Sequence, residues 1–76
     1  MFGHIFYRFW INIGAEELLM IYSGKIKRVR VITDEGLVLD IDAERLKQYT
    51  TRSGISGYFQ LTTTRENKFV SLDKIK

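Results

Sequence analysis

The sequence predicts an α+β domain: a five-stranded antiparallel curved sheet, or a small partly closed barrel, with one helix. Three observations predict it. Ile5, Tyr7, Phe9, Ile11 and Ile13 recur at every second position, the signature of one buried strand face. Turn residues at Asp34–Gly36 and at Arg65–Lys68 each separate two apolar alternations, as hairpin loops do. Between strand one and the first hairpin, Ala15 to Ser23 carries apolar residues at helical spacing. The predicted order is strand, helix, strand, strand, short helix, strand, strand, in a single domain spanning residues 1–76.

Strand one runs from Ile5 to Ile13. Its odd positions are uniformly apolar, while His4, Phe6, Arg8, Trp10 and Asn12 make a mixed second face. Gly14 is placed to be the N-cap of the helix, and Glu16 and Glu17 suit the positive end of its dipole. Ala15, Leu18, Ile21 and Tyr22 share one helical face. Gly24 falls at C′, where the left-handed conformation favours glycine.

The stretch from Lys25 to Asp42 reads as a hairpin. A three-residue loop, Asp34-Glu35-Gly36, fits a type I turn with a G1 bulge. That loop sets Thr33 against Leu37, Val31 against Leu39 and Val29 against Ile41 on one face. The other face pairs Ile32 with Val38, Arg30 with Asp40 and Arg28 with Asp42. A two-residue loop would put Val29 opposite Asp40 and invert the faces, so the pattern selects the first register. The four cations of K-I-K-R-V-R are thus divided: Arg28 and Arg30 oppose aspartates, and Lys25 and Lys27 remain free.

Asp42 can cap a short helix from Ala43 to about Gln48, with Leu46 and Tyr49 turned inward. A polar loop, T-T-R-S-G-I-S-G, leads to strand four, Tyr58 to Thr63, and strand five, Phe69 to Leu72. Their four-residue loop sets Leu61 opposite Leu72 and Thr63 opposite Val70, with Phe59 continuing the apolar face. Ile75 is placed to pin the tail to the core.

Composition narrows the chemistry. A chain of 76 residues buries only about 60% of its unfolded surface, so its core is thin. Chains this small often add disulfides, a metal or a partner subunit. There is no cysteine, and His4 is the lone imidazole, so neither a disulfide nor a closed zinc site is expected. No cofactor motif and no nucleophile motif is present, which argues against an enzyme. Asp40 and Asp42 share a strand face, but their arginine partners make them structural rather than catalytic. No segment reaches the roughly 20 apolar residues of a membrane span, and Arg8 and Asn12 interrupt the apolar N-terminal run. The expectation is a cytoplasmic protein. Its net charge of +3 permits an anionic partner without requiring one.

Two groups of residues are candidate sites. Phe6, Arg8 and Trp10 interleave aromatics with a cation on one strand face. Such a face reads three ways: packing beneath the helix, a homodimer interface, or a base-stacking surface. The second group, Lys25, Lys27, Lys47 and Arg52 with the backbone amides at Gly54 and Gly57, could hold a phosphate or a nucleic acid. The leading expectation is a non-enzymatic binding or adaptor module that self-associates as a homodimer. The alternative is a nucleic-acid-binding small barrel with a modest basic patch.

The succession N-I-G-A-E-E, I-Y-S-G, T-x-E-G-L, A-x-x-L, G-I-S-G-Y-F and K-F-V-S-L-D-K-I, spread over positions 12 to 75, resembles a family of short gammaproteobacterial proteins of uncharacterised role, a domain-of-unknown-function family. The resemblance implies a bacterial, cytoplasmic protein and supplies no catalytic or binding residues.

Overall fold

The computed structural model describes residues 3–76; Met1 and Phe2, where the apolar N-terminal run begins, lie outside the described residues. The elements are β1 (His4–Gly14), α1 (Ala15–Tyr22), β2 (Arg28–Ile32), β3 (Val38–Asp42), a 3₁₀ helix (Ala43–Tyr49), β4 (Gly54–Thr64) and β5 (Phe69–Lys74). The α+β class and the antiparallel pairing agree with the sequence. The single five-stranded sheet does not form. The strands divide into a three-stranded sheet, order β1-β4-β5, and a separate two-stranded sheet, β2-β3.

β1 and β4 pair along their whole length, from His4 opposite Thr64 to Gly14 opposite Gly54. β4 therefore starts at Gly54, within the segment read from sequence as a loop. Its first residue must be glycine. Gly54 has φ +123°, and a Cβ there would sit 1.8 Å from the Ile13 carbonyl oxygen. A bulge between Thr62 and Thr63 shifts the pairing with β5. Leu61 faces Leu72 as the loop length predicts, but Thr63 faces Phe69 rather than Val70. Ile75 is attached by its backbone, its N–H donating to the Tyr58 carbonyl at 2.7 Å, while its side chain stays exposed.

The hairpin has the register that its loop dictates: Ile32 opposite Val38, Val31 opposite Leu39, Arg30 opposite Asp40, Val29 opposite Ile41, Arg28 opposite Asp42. Gly36 takes φ +88° and donates to the Thr33 carbonyl at 2.8 Å, closing the turn. α1 ends in a Schellman arrangement, with Lys25 N–H on the Met20 carbonyl and Gly24 N–H on that of Ile21. Leu18 and Ile21 are buried, whereas Ala15 and Tyr22 are exposed, so the buried face of α1 is narrower than its sequence pattern.

The segment after β3 is 3₁₀ rather than α. Three residues per turn put Ala43, Leu46 and Tyr49 in one inward row. Glu44 and Lys47 form the next row and pair at 2.7 Å. The Asp42 carboxylate accepts from the Glu44 N–H at 3.1 Å, capping the start.

The core joins Phe9, Ile11 and Phe59 of the larger sheet to Val31 and Ile41 of the hairpin, with Leu18, Ile21 and Leu46 from the helices. Phe9 and Phe59 stack with centroids 6.4 Å apart, and Tyr49 meets Phe59 edge-on at 5.1 Å. Side-chain packing, not a backbone ladder, is what holds the hairpin to the larger sheet. That is the physical reason the sheet divides.

At the seam between β1 and β2, the Asp34 N–H donates to the Arg8 carbonyl at 2.9 Å, and no ladder extends from that bond. The Arg8 carbonyl thus points away from β4. By strand alternation, the N–H and C=O groups of Trp10 and Asn12 point the same way. They face a cleft of about 370 Å³ lined also by Arg30 and Ile32.

Two outcomes follow from this geometry. Gly54→Ala costs about 3 kcal/mol or more, from backbone strain and the clash at Ile13, while Gly14→Ala, which meets nothing within 4 Å, costs about 1 kcal/mol or less; urea unfolding midpoints compare them. In native-state amide exchange, Trp10 and Asn12 exchange faster than Ile11 and Ile13, whose groups face β4.

Candidate functional site

The outward face of β1 carries Phe6, Arg8 and Trp10, as strand alternation from the buried Phe9, Ile11 and Ile13 requires. The helix does not cover this face. Phe6 is 54% and Trp10 61% exposed. Reading the face as packing beneath the helix is therefore corrected: α1 buries Leu18 and Ile21 toward the opposite side of β1, where Ile11 and Ile13 lie.

Neighbouring strands extend the face. Tyr58 of β4 lies directly opposite Trp10, with ring centroids 4.8 Å apart and planes tilted by 37°. Across the seam, Ile32 is 65% exposed and lines the same cleft as Trp10, and Val38 beside it is exposed too. Val38, Ile32, Trp10 and Tyr58 thus make an apolar band crossing four strands.

Polar groups border the band. The Arg8 Nε donates to Gln60 Oε1 at 2.9 Å, which ties the guanidinium to the neighbouring strand. The Tyr58 hydroxyl donates to the Asp34 carboxylate, a second tie between the two sheets. Arg30 Nε meets Asp40 Oδ1 at 3.3 Å. The Lys76 ammonium lies 6.0 Å from the Trp10 ring and 5.7 Å from that of Tyr58. The border thus alternates in sign: Arg8, Arg30 and Lys76 against Asp34 and Asp40. The hydrogen bond to Asp34 raises the Tyr58 phenol above its ordinary value of 10.0, with burial and the carboxylate's charge adding to it.

The basic candidates are dispersed. Lys27 and Lys47 line one cleft of about 530 Å³, together with Arg28, Asp42 and Glu44. Lys25 lies just beyond α1, and Arg52 at the tip of the turn bridging Thr51 and Gly54; neither lines that cleft. The Gly54 N–H donates to the Thr51 carbonyl at 3.2 Å, and Gly57 lies inside β4 opposite Ile11. The glycine amides belong to the strand's own structure. Arg30 and Asp40 form the expected pair. Arg28 and Asp42 face each other but make no ion pair, because Asp42 turns to cap the 3₁₀ helix. Sequence reasoning missed Tyr58, Ile32 and Val38 as members of the outward face. The signal was present for the last two, since the hairpin register sets them together on the face away from Val31.

Among the described residues no helix is long and apolar enough to cross a membrane, and no group of three or more His, Cys, Asp or Glu is placed to hold a metal ion.

The fold and this face can now be set beside known proteins. A family model described as "Protein of unknown function (DUF2835)" matches residues 5–75. The chain belongs to this DUF2835 family. No curated protein and no solved structure matches it. The match runs from Ile5 in β1 to Ile75 beyond β5, so Phe6, Arg8, Trp10, Ile32, Val38 and Tyr58 of the outward face all lie within the DUF2835 domain.

The tie between the sheets is testable through Tyr58. A raised phenol pKa means the bond supports the fold fully below about pH 10 and is lost as pH rises through the folded-state value. In an ultraviolet tyrosinate titration, Asp34→Asn is expected to move the component that Tyr58 contributes toward lower pH.

Proposed function

We propose that this DUF2835 protein is a non-enzymatic binding module that self-associates through the outward face of β1. The observation that carries the reading is the exposed apolar band of Trp10, Tyr58, Ile32 and Val38 within a border of both charge signs. Trp, Tyr and Arg are the residues that dominate interface cores. A two-fold interface apposes a surface with itself, so it needs cations and carboxylates on the same patch. Arg8, Arg30 and Lys76 against Asp34 and Asp40 satisfy that need. A nucleic-acid surface would instead gather unpaired cations beside the aromatics. A chain with no cysteine and a thin core also gains stability from a partner subunit. The lack of cysteine is compatible with a reducing compartment.

Sedimentation equilibrium at high micromolar concentration tests the proposal. The chain is expected to be a dimer, with Trp10→Ala weakening association by at least about 30-fold, the effect of losing a hot-spot residue. A strict monomer at that concentration contradicts it. A salt-sensitive shift of labelled single-stranded RNA or DNA, lost in Trp10→Ala, would establish the nucleic-acid reading in its place.

A further inference from the structure

A second cleft, of about 250 Å³, lies between the β2-β3 hairpin, the 3₁₀ helix and the β4-β5 pair. Its floor is apolar, from Ile41 and Leu61. Three donor groups stand around it. The Arg45 guanidinium carbon lies 3.8 Å from the centre of the Phe69 ring, a cation–π contact that positions it at the cleft and leaves its N–H groups without a carboxylate partner among the described residues. Arg28 lines the same cleft and makes no ion pair. Asn67, held at φ +66°, accepts from the Tyr7 hydroxyl on its Oδ1 at 3.3 Å, which leaves its amide N–H₂ as a donor.

Two carboxylates also line the cleft, and both are engaged. Asp40 is held on Arg30, and Asp42 on the Glu44 N–H. They still set the charge of an acceptable ligand. A dianion meets twice the repulsion of a monoanion at each aspartate. The volume lies just below the roughly 300–1,000 Å³ of sites for drug-sized ligands, so the ligand must be small.

We propose that this cleft binds a small organic carboxylate, with its carboxylate on Arg45 and Arg28 and a short apolar stem over Leu61. The planar guanidinium fork matches a carboxylate in two parallel hydrogen bonds, and the apolar floor favours a stem over a bare anion. Of the residues on the border of the β1 face, this cleft shares Asp40 alone.

The test is an amide NMR titration of the full chain with sodium hexanoate at constant ionic strength, with inorganic phosphate and hexanol as separate arms. Saturable shifts are expected for hexanoate at Arg28, Arg45, Asn67 and Phe69, with smaller effects from the other two. Arg45→Gln is expected to weaken hexanoate by about tenfold or more, the loss of a charge-assisted pair. Arg28→Gln weakens it as an independent check, and Arg52→Gln leaves it unchanged. The absence of saturable hexanoate shifts, equal binding by Arg45→Gln, or tighter binding of phosphate or hexanol would each overturn the assignment.

Discussion

The antiparallel pairing of β1 with β4 is the constraint on which the rest depends. Each strand has 11 residues, and the two run in unbroken register from His4–Thr64 to Gly14–Gly54. That register turns Phe9, Ile11, Ile13, Ile55 and Phe59 to one side as the core. By the same alternation it turns Phe6, Arg8, Trp10 and Tyr58 to the other. The outward aromatic face is therefore not a surplus of apolar residues scattered on a surface. It is the obligatory reverse of the core, on a sheet covered from one side only. A three-stranded sheet with a single covered face normally carries polar residues on the other. Trp10 and Phe6 depart from that pattern, which is what singles this face out for the proposed interface.

The β2-β3 hairpin is the part most legible in sequence. Loop length and face pattern were two independent constraints, and they agreed on one register. Gly36 fixed the loop, while Val29, Val31, Leu39 and Ile41 fixed the face. What was not legible lay beyond the hairpin. The sequence offers no way to see that its outer edge meets β1 through one bond at Arg8, because that outcome depends on how Val31 and Ile41 pack over Phe9 and Leu46. The G-I-S-G segment misled for a related reason. Glycine and serine are poor strand formers, so local propensity reads a loop. The long partner strand overrides propensity, and Gly54 is there because Ile13 comes too close for any side chain. Arg28 shows a third kind of limit. Its cross-strand position was correct, but Asp42 had two possible partners, and the helix cap took it.

These differences reshape the candidate sites. The basic residues picked out along the chain do not converge, and the glycine amides beside them are structural. The face on β1 grew instead, because the fold brought Tyr58, Ile32 and Val38 to it. The freed Arg28 joined Arg45 at a cleft that no contiguous motif announces. Both are composed from elements separated along the chain, which is why neither is visible as a run of residues.

Trp10 is the single tryptophan of the chain and lies at the centre of the proposed interface. Its fluorescence emission is consequently a direct reporter of whether the face is covered. On concentrating the protein from nanomolar to high micromolar, the account predicts a blue shift as Trp10 leaves water, and Ile32→Glu abolishes that shift. An emission maximum that stays at its solvent-exposed position over the whole range would contradict the central claim that a second copy covers the outward face of β1.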